Sequence, residues 1–109
     1  MCIRVTLDTV EQELNTSTTP VLLACLHPDA DISSQVELLD QVSKLFGDQM
    51  KVYLLCEAFT GAFGQTYRIE GTPTYLLFKQ NTVLDRILGQ VDVNTLTAYL
   101  SRTLSSLSP

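Results

Sequence analysis

The run Tyr67-Arg68-Ile69-Glu70-Gly71-Thr72-Pro73-Thr74-Tyr75-Leu76-Leu77-Phe78-Lys79-Gln80-Asn81 decides how this chain folds. Within it, Gly71-Thr72-Pro73 breaks the chain, and Thr74 to Lys79 is an apolar, β-prone stretch. Gln80-Asn81 then separates that stretch from Thr82-Val83-Leu84-Asp85-Arg86-Ile87-Leu88. Two β-rich runs parted by two polar residues predict an antiparallel hairpin, since two-residue loops match the right-handed twist of paired strands. Pro73 stands at the mouth of this hairpin, where its fixed φ suits a turn that starts the first strand.

Upstream, Pro20 opens Val21-Leu22-Leu23-Ala24-Cys25-Leu26, an uninterrupted apolar run. Strands that alternate have one wet face, whereas a continuous run predicts a strand buried on both faces by flanking helices. Lys51 to Cys56 reads as a second such strand and Ile3 to Val5 as a short first one. Between them lie two helical patterns. Leu7, Val10 and Leu14 recur at spacings of three and four, with Asp8 or Thr9 near the start. Ile32, Val36, Leu39, Val42 and Leu45 or Phe46 trace one face of a longer helix, with Asp31 as its expected N-cap and Gly47 as its C-cap. Phe59 to Tyr67 predicts a short or irregular helix. Asp92 is expected to cap a last helix that carries Leu96, Tyr99, Leu100 and Leu104. The resulting order is β-α-β-α-β-α-β-β-α in one α/β domain spanning residues 1–109.

Composition bounds the function classes. The chain has 109 residues, 45% hydrophobic and 17% charged, with a formal net charge of -5. Seven basic residues are spread without two adjacent, so no footprint for nucleic acid or an anionic membrane is visible. The longest apolar run has six residues, against the ~20 needed to span a bilayer. Met1 to Leu7 lacks the pattern of a secretion signal. These features predict a soluble cytoplasmic protein. Cys2, Cys25 and Cys56 are widely spaced and form no C-x-x-C, so neither a disulfide framework nor a metal site is expected, and no cofactor is implied.

The element order and its local sequence resemble the thioredoxin family from about Ile3 to Leu104. The Tyr67 to Asn81 run is the most specific match, and Pro73 falls on the family's cis-proline. The Pro20-Val21-Leu22-Leu23 entry to the central strand, Gly89 after the last strand and the Leu96/Tyr99/Leu100 helix match as well. The resemblance implies a thioredoxin fold: a three-layer α/β/α arrangement around a central mixed sheet. It also locates the family's active site, a W-C-G-P-C motif before the long helix. That place is held, within one position, by Asp29-Ala30-Asp31-Ile32-Ser33. The family's buried proton-accepting aspartate corresponds to Ala24 and its lysine partner to Leu54. Dithiol exchange needs a low-pKa attacking thiolate and a second resolving thiol, and this loop offers neither.

The remaining candidates carry open alternatives. Cys25 and Cys56 lie near the ends of neighbouring strands and read first as packing residues, with a redox pair as the other possibility. Cys2, near the terminus, is the thiol expected to meet a reagent first. His27, Asp29 and Asp31 make either a solvated loop and helix start or, through the single histidine, a functional group. Thr72 and Pro73 are either a turn device or, as the resemblance implies, the place where Thr72 offers its N–H and C=O to an extended peptide. The expected function is a redox-inactive thioredoxin-like protein that binds an unidentified polypeptide, as a chaperone or adaptor, through Thr72, Pro73, His27, Asp29 and Ala30. Thioredoxin-like proteins without the dithiol include maturation chaperones that escort hydrogenase subunits. The alternatives are a single-cysteine thiol-disulfide oxidoreductase of cell redox homeostasis acting through Cys56 or Cys25, and a scaffold module that self-associates. A monomer or weak homo-oligomer is expected.

Overall fold

The computed structural model describes residues 3–29, 31–57 and 61–106. In chain order it contains β1 (Ile3–Val5), α1 (Leu7–Thr16), β2 (Val21–Leu26), α2 (Ser33–Phe46), β3 (Lys51–Cys56), α3 (Ala62–Thr66), β4 (Thr74–Lys79), β5 (Thr82–Leu88) and α4 (Val93–Ser106). A short 3-10 turn over Gly47–Gln49 links α2 to β3. The strands form one five-stranded sheet in the order β1-β3-β2-β4-β5. β1, β3 and β2 run parallel, and β4 and β5 are antiparallel to their neighbours.

β2 occupies the middle of the sheet, and all six of its residues are buried. Because successive side chains point to opposite faces, Leu22, Ala24 and Leu26 join a core with Leu38, Leu39, Val42 and Phe46 of α2 and Leu96 and Leu100 of α4. Val21, Leu23 and Cys25 join a second core with Val10 and Leu14 of α1 and Phe63 of α3. Helices thus cover both faces, and the strand carries no polar residue along its length. The arrangement is the three-layer thioredoxin fold.

The termini of the elements follow backbone chemistry. The two-residue loop Gln80-Asn81 has φ of 50° and 64°, the left-handed pair that a type I′ hairpin turn requires. Register shifts between Leu77 and Phe78, where Leu77 faces Asp85 and Phe78 faces Val83; Leu84 is the extra residue of this bulge. Gly47, at φ 53°, ends α2 and donates its N–H to Ser43 O. α1 starts ahead of Asp8 and Thr9, which fall within its first turn. Thr6 is the N-cap, and its side chain accepts from Thr9 N–H at 3.3 Å. Asp92 does cap α4: its Oδ1 accepts from Thr95 N–H at 2.7 Å, and its carbonyl accepts from Leu96 N–H at 3.0 Å.

Candidate functional site

The parallel strands end, and α2 and α4 begin, at one end of the sheet. The chain enters β4 at that same end through Gly71-Thr72-Pro73. Thr74 pairs with Cys25, so Thr72 and Pro73 lie beside the end of β2 and the start of the loop that follows it. The Thr72–Pro73 peptide bond is cis. Pro73 O accepts from Gly89 N–H at 2.9 Å, tying this segment to the end of β5. Gly89 has φ 98°, a conformation that favours glycine. Thr72 is exposed, and among the described residues no hydrogen bond engages its N–H or C=O. Leu88, 65% exposed, lies beside Gly71 and is an apolar spot on the same rim.

The loop that would carry the family's cysteines is built from polar contacts among its own residues. His27 Nδ1 accepts the Asp29 N–H at 3.1 Å, so the neutral ring holds its proton on Nε2 in this arrangement. Asp29 Oδ2 lies 3.8 Å from the same nitrogen, and both side chains are exposed. Asp31 Oδ1 accepts from Ser33 N–H at 3.0 Å, and this bond holds its carboxyl below the usual range. The cap position itself belongs to Ile32, which makes no side-chain bond. Asp31 therefore satisfies the first amide of α2 from one residue further out than a regular N-cap, because Ile32 turns inward against the core. Ala30 lies outside the described residues.

Beneath the loop, Ala24 is fully buried and aligned between Leu54 of β3 and Tyr75 of β4. Among the described residues of this layer, neither in-register neighbour of Ala24 is a carboxylate or an amine. Its polar group is a pair that the sequence reading missed: Tyr75 Oη donates to Gln35 Oε1 at 2.5 Å, with both residues buried. Burial pushes the Tyr75 hydroxyl up, and the Gln35 bond opposes this in part. The signal was present, since Gln35 falls on the apolar face traced by Ile32, Val36 and Leu39 and needed a buried partner there.

The structure separates the two described cysteines. Cys25 pairs in register with Leu55, and Leu26 pairs with Cys56. An offset of one residue puts side chains on opposite faces, and Cys25 belongs to the α1/α3 core whereas Cys56 packs against the α2/α4 core. Both are free. Burial, slightly offset by Arg86, pushes the Cys25 thiol up to about 12, so it is protonated at neutral pH. Cys56 is half-buried. Cys2 lies outside the described residues.

No protein-family model matches this chain. It is similar to thioredoxin 1 of Synechococcus elongatus, at 29% identity over 97 residues that cover 88% of this chain and 91% of that protein. This similarity supports the thioredoxin-like fold. No helix among the described residues is long and apolar enough to cross a membrane.

Proposed function

We propose that this chain is a thioredoxin-like protein that has given up dithiol chemistry and binds a polypeptide partner at Thr72-Pro73 and the His27 to Ser33 loop. The observation that carries this reading is the exposed Thr72, whose backbone N–H and C=O are unengaged among the described residues. An extended peptide adds to such a backbone as a further strand, gaining main-chain hydrogen bonds from groups that otherwise face water. The layer beneath supports it: Ala24 and Leu54 cannot hold or pass a proton, and the Cys25 thiol is held neutral by burial. A chaperone or adaptor acting in the cytoplasm fits these features, and fold alone assigns no chemistry.

A photo-crosslinking residue placed at position 72, and in a second protein at the far-end position 48, tests the reading in native lysate together with an insulin-reduction assay. A protein adduct specific to position 72 is expected, retained when Cys25 and Cys56 are both serine, with no insulin reduction above background. Identical labelling at 72 and 48 counts against it. So does insulin reduction that disappears in Cys56→Ser or Cys25→Ser, which would instead establish the one-cysteine oxidoreductase.

A further inference from the structure

The segment that presents Thr72 runs from the end of α3 to the start of β4, and β5 supplies several of the contacts that fix it. α3 closes with a left-handed reversal: Ile69 N–H donates to Gly64 O at 2.8 Å and Arg68 N–H to Gln65 O at 3.4 Å, the paired bonds that usually end on glycine. Here the reversing residue is Arg68, at φ 54°, a conformation that favours glycine. Its carbonyl lies beyond the helix and takes its donor from another element. Arg86 of β5 is that donor, with Nη1 at 2.9 Å from Arg68 O.

β5 is an edge strand paired with β4 alone among the described residues, and its successive side chains brace opposite faces. Arg86 aligns with Leu76 on the α1/α3 side, and Asp85 aligns with Leu77 on the α2/α4 side, where it bonds the Tyr99 hydroxyl of α4. Two residues beyond Arg86, Leu88 reaches Gly71 so closely that a Cβ there would stand 3.6 Å from Leu88 Cδ1. Gly89 N–H then holds Pro73 O at 2.9 Å. A local bond, from Thr74 Oγ1 to Gly71 O at 2.6 Å, joins these ties. Thr72 is thus bracketed by contacts at residues 68, 71 and 73 while its own backbone groups face outward.

Among these ties, Arg86 is the one that can be removed without hollowing the molecule. Its side chain is exposed and belongs to neither core. Among the described residues no carboxylate pairs with it, so its directional bond goes to a backbone carbonyl, and a charged donor makes that bond stronger than a neutral one would.

Building on the polypeptide-binding reading, we propose that Arg86 is a positioning residue for that site: by holding the Arg68 carbonyl it fixes residues 68–72 in the shape that offers the Thr72 backbone to an incoming strand. A segment already ordered has less freedom to lose when a peptide pairs with it, so the bond is read out as affinity. Losing it frees the segment and leaves both cores closed.

The test uses the full chain labelled with ¹⁵N and ¹³C and, as probe, insulin B chain with its cysteines carboxymethylated, a polypeptide that cannot exchange thiols. In Arg86→Ala the Arg68 carbonyl ¹³C signal is expected to shift upfield, and the order parameters of residues 70–72 to fall from about 0.85 toward about 0.6. Affinity for the B chain, read at the Thr72 signal, is expected to weaken about tenfold, the effect of reordering roughly one residue's backbone on binding. Arg86→Lys, which keeps a cationic donor, is expected to lie between alanine and the parent. Tyr99→Phe removes the brace on the opposite face of β5 and is expected to change none of these readings. Unchanged order at residues 70–72 in Arg86→Ala overturns the proposal, as does a lysine variant no better than alanine or an equal loss of affinity in Tyr99→Phe. An alanine variant that fails to fold also overturns it, because the proposal requires the bond to act locally. A parent chain whose Thr72 signal ignores the B chain removes the polypeptide-binding reading instead, and the carbonyl shift and order parameters still decide whether Arg86 holds the segment.

Discussion

Substituting Ala24 with aspartate puts a carboxyl at the position that the resemblance to thioredoxins sets against the family's buried aspartate, and its cost measures how fully this layer is hydrophobic core. Ala24 has 0% exposure and is flanked by Leu54 and Tyr75, neither of which offers a cation. A carboxyl buried without a cation raises its pKa by about 3 to 5 units, because desolvation disfavours the charged form. The unfolded chain titrates it near about 3.9. A raised folded pKa means the variant is penalised least below the unfolded value and progressively more as pH rises toward the folded one. Between about pH 4.5 and about pH 7.5 the penalty grows by about 3 to 4 kcal/mol, at 1.36 kcal/mol per unit. That is a large share of the ~5 to 15 kcal/mol that holds a small domain together. Urea unfolding at both pH values, referenced to the parent protein, reads the difference. Ala24→Asn is the control, since it buries a polar group that does not ionise and loses stability equally at both. A pH-dependent excess below about 1 kcal/mol for aspartate over asparagine would refute the reasoning and mean that water or a cation reaches this layer.

Tyr75→Phe leaves Gln35 Oε1 buried without a donor and is expected to cost about 1 to 3 kcal/mol, whereas the double variant with Gln35→Met recovers most of it; thermal unfolding of the cycle gives the coupling. In a Cys2→Ser background, Ellman's reagent is expected to modify Cys56 slowly in the native state and Cys25 only on unfolding, because the Cys25 thiol is pushed up to about 12. The same raised value places its contribution to stability below the unfolded thiol range, to be lost as pH climbs from about 9 toward about 12. Asp31 and Asp92 both have lowered carboxyls, held chiefly by backbone bonds from Ser33 and Thr95. Their stabilisation is present above the ordinary carboxylate range and lost as pH falls through the lower folded values. An acid titration of Asp92→Asn should therefore be flatter than that of the parent. Gly89→Ala is expected to cost about 1 kcal/mol or more in urea unfolding, because φ of 98° suits glycine alone.

The elements were legible because each is encoded by a local pattern. The continuous apolar run Val21 to Leu26 specifies a strand covered on both faces, Gln80-Asn81 specifies a tight hairpin, and the spacing of Leu96 and Leu100 specifies a buried helix stripe. Even the missing dithiol is a statement about three cysteine positions. What no local pattern carries is register. Whether Cys25 and Cys56 can meet depends on a one-residue offset between β2 and β3, and that offset sends their side chains to opposite cores. Gln35 looks like a flaw in an apolar face until β4 brings Tyr75 beneath it, forty positions away in the chain. Short-range periodicity determines which segments are strands or helices. Long-range pairing determines which of their side chains become neighbours, and it is those neighbours that give the rim around Thr72 its chemistry.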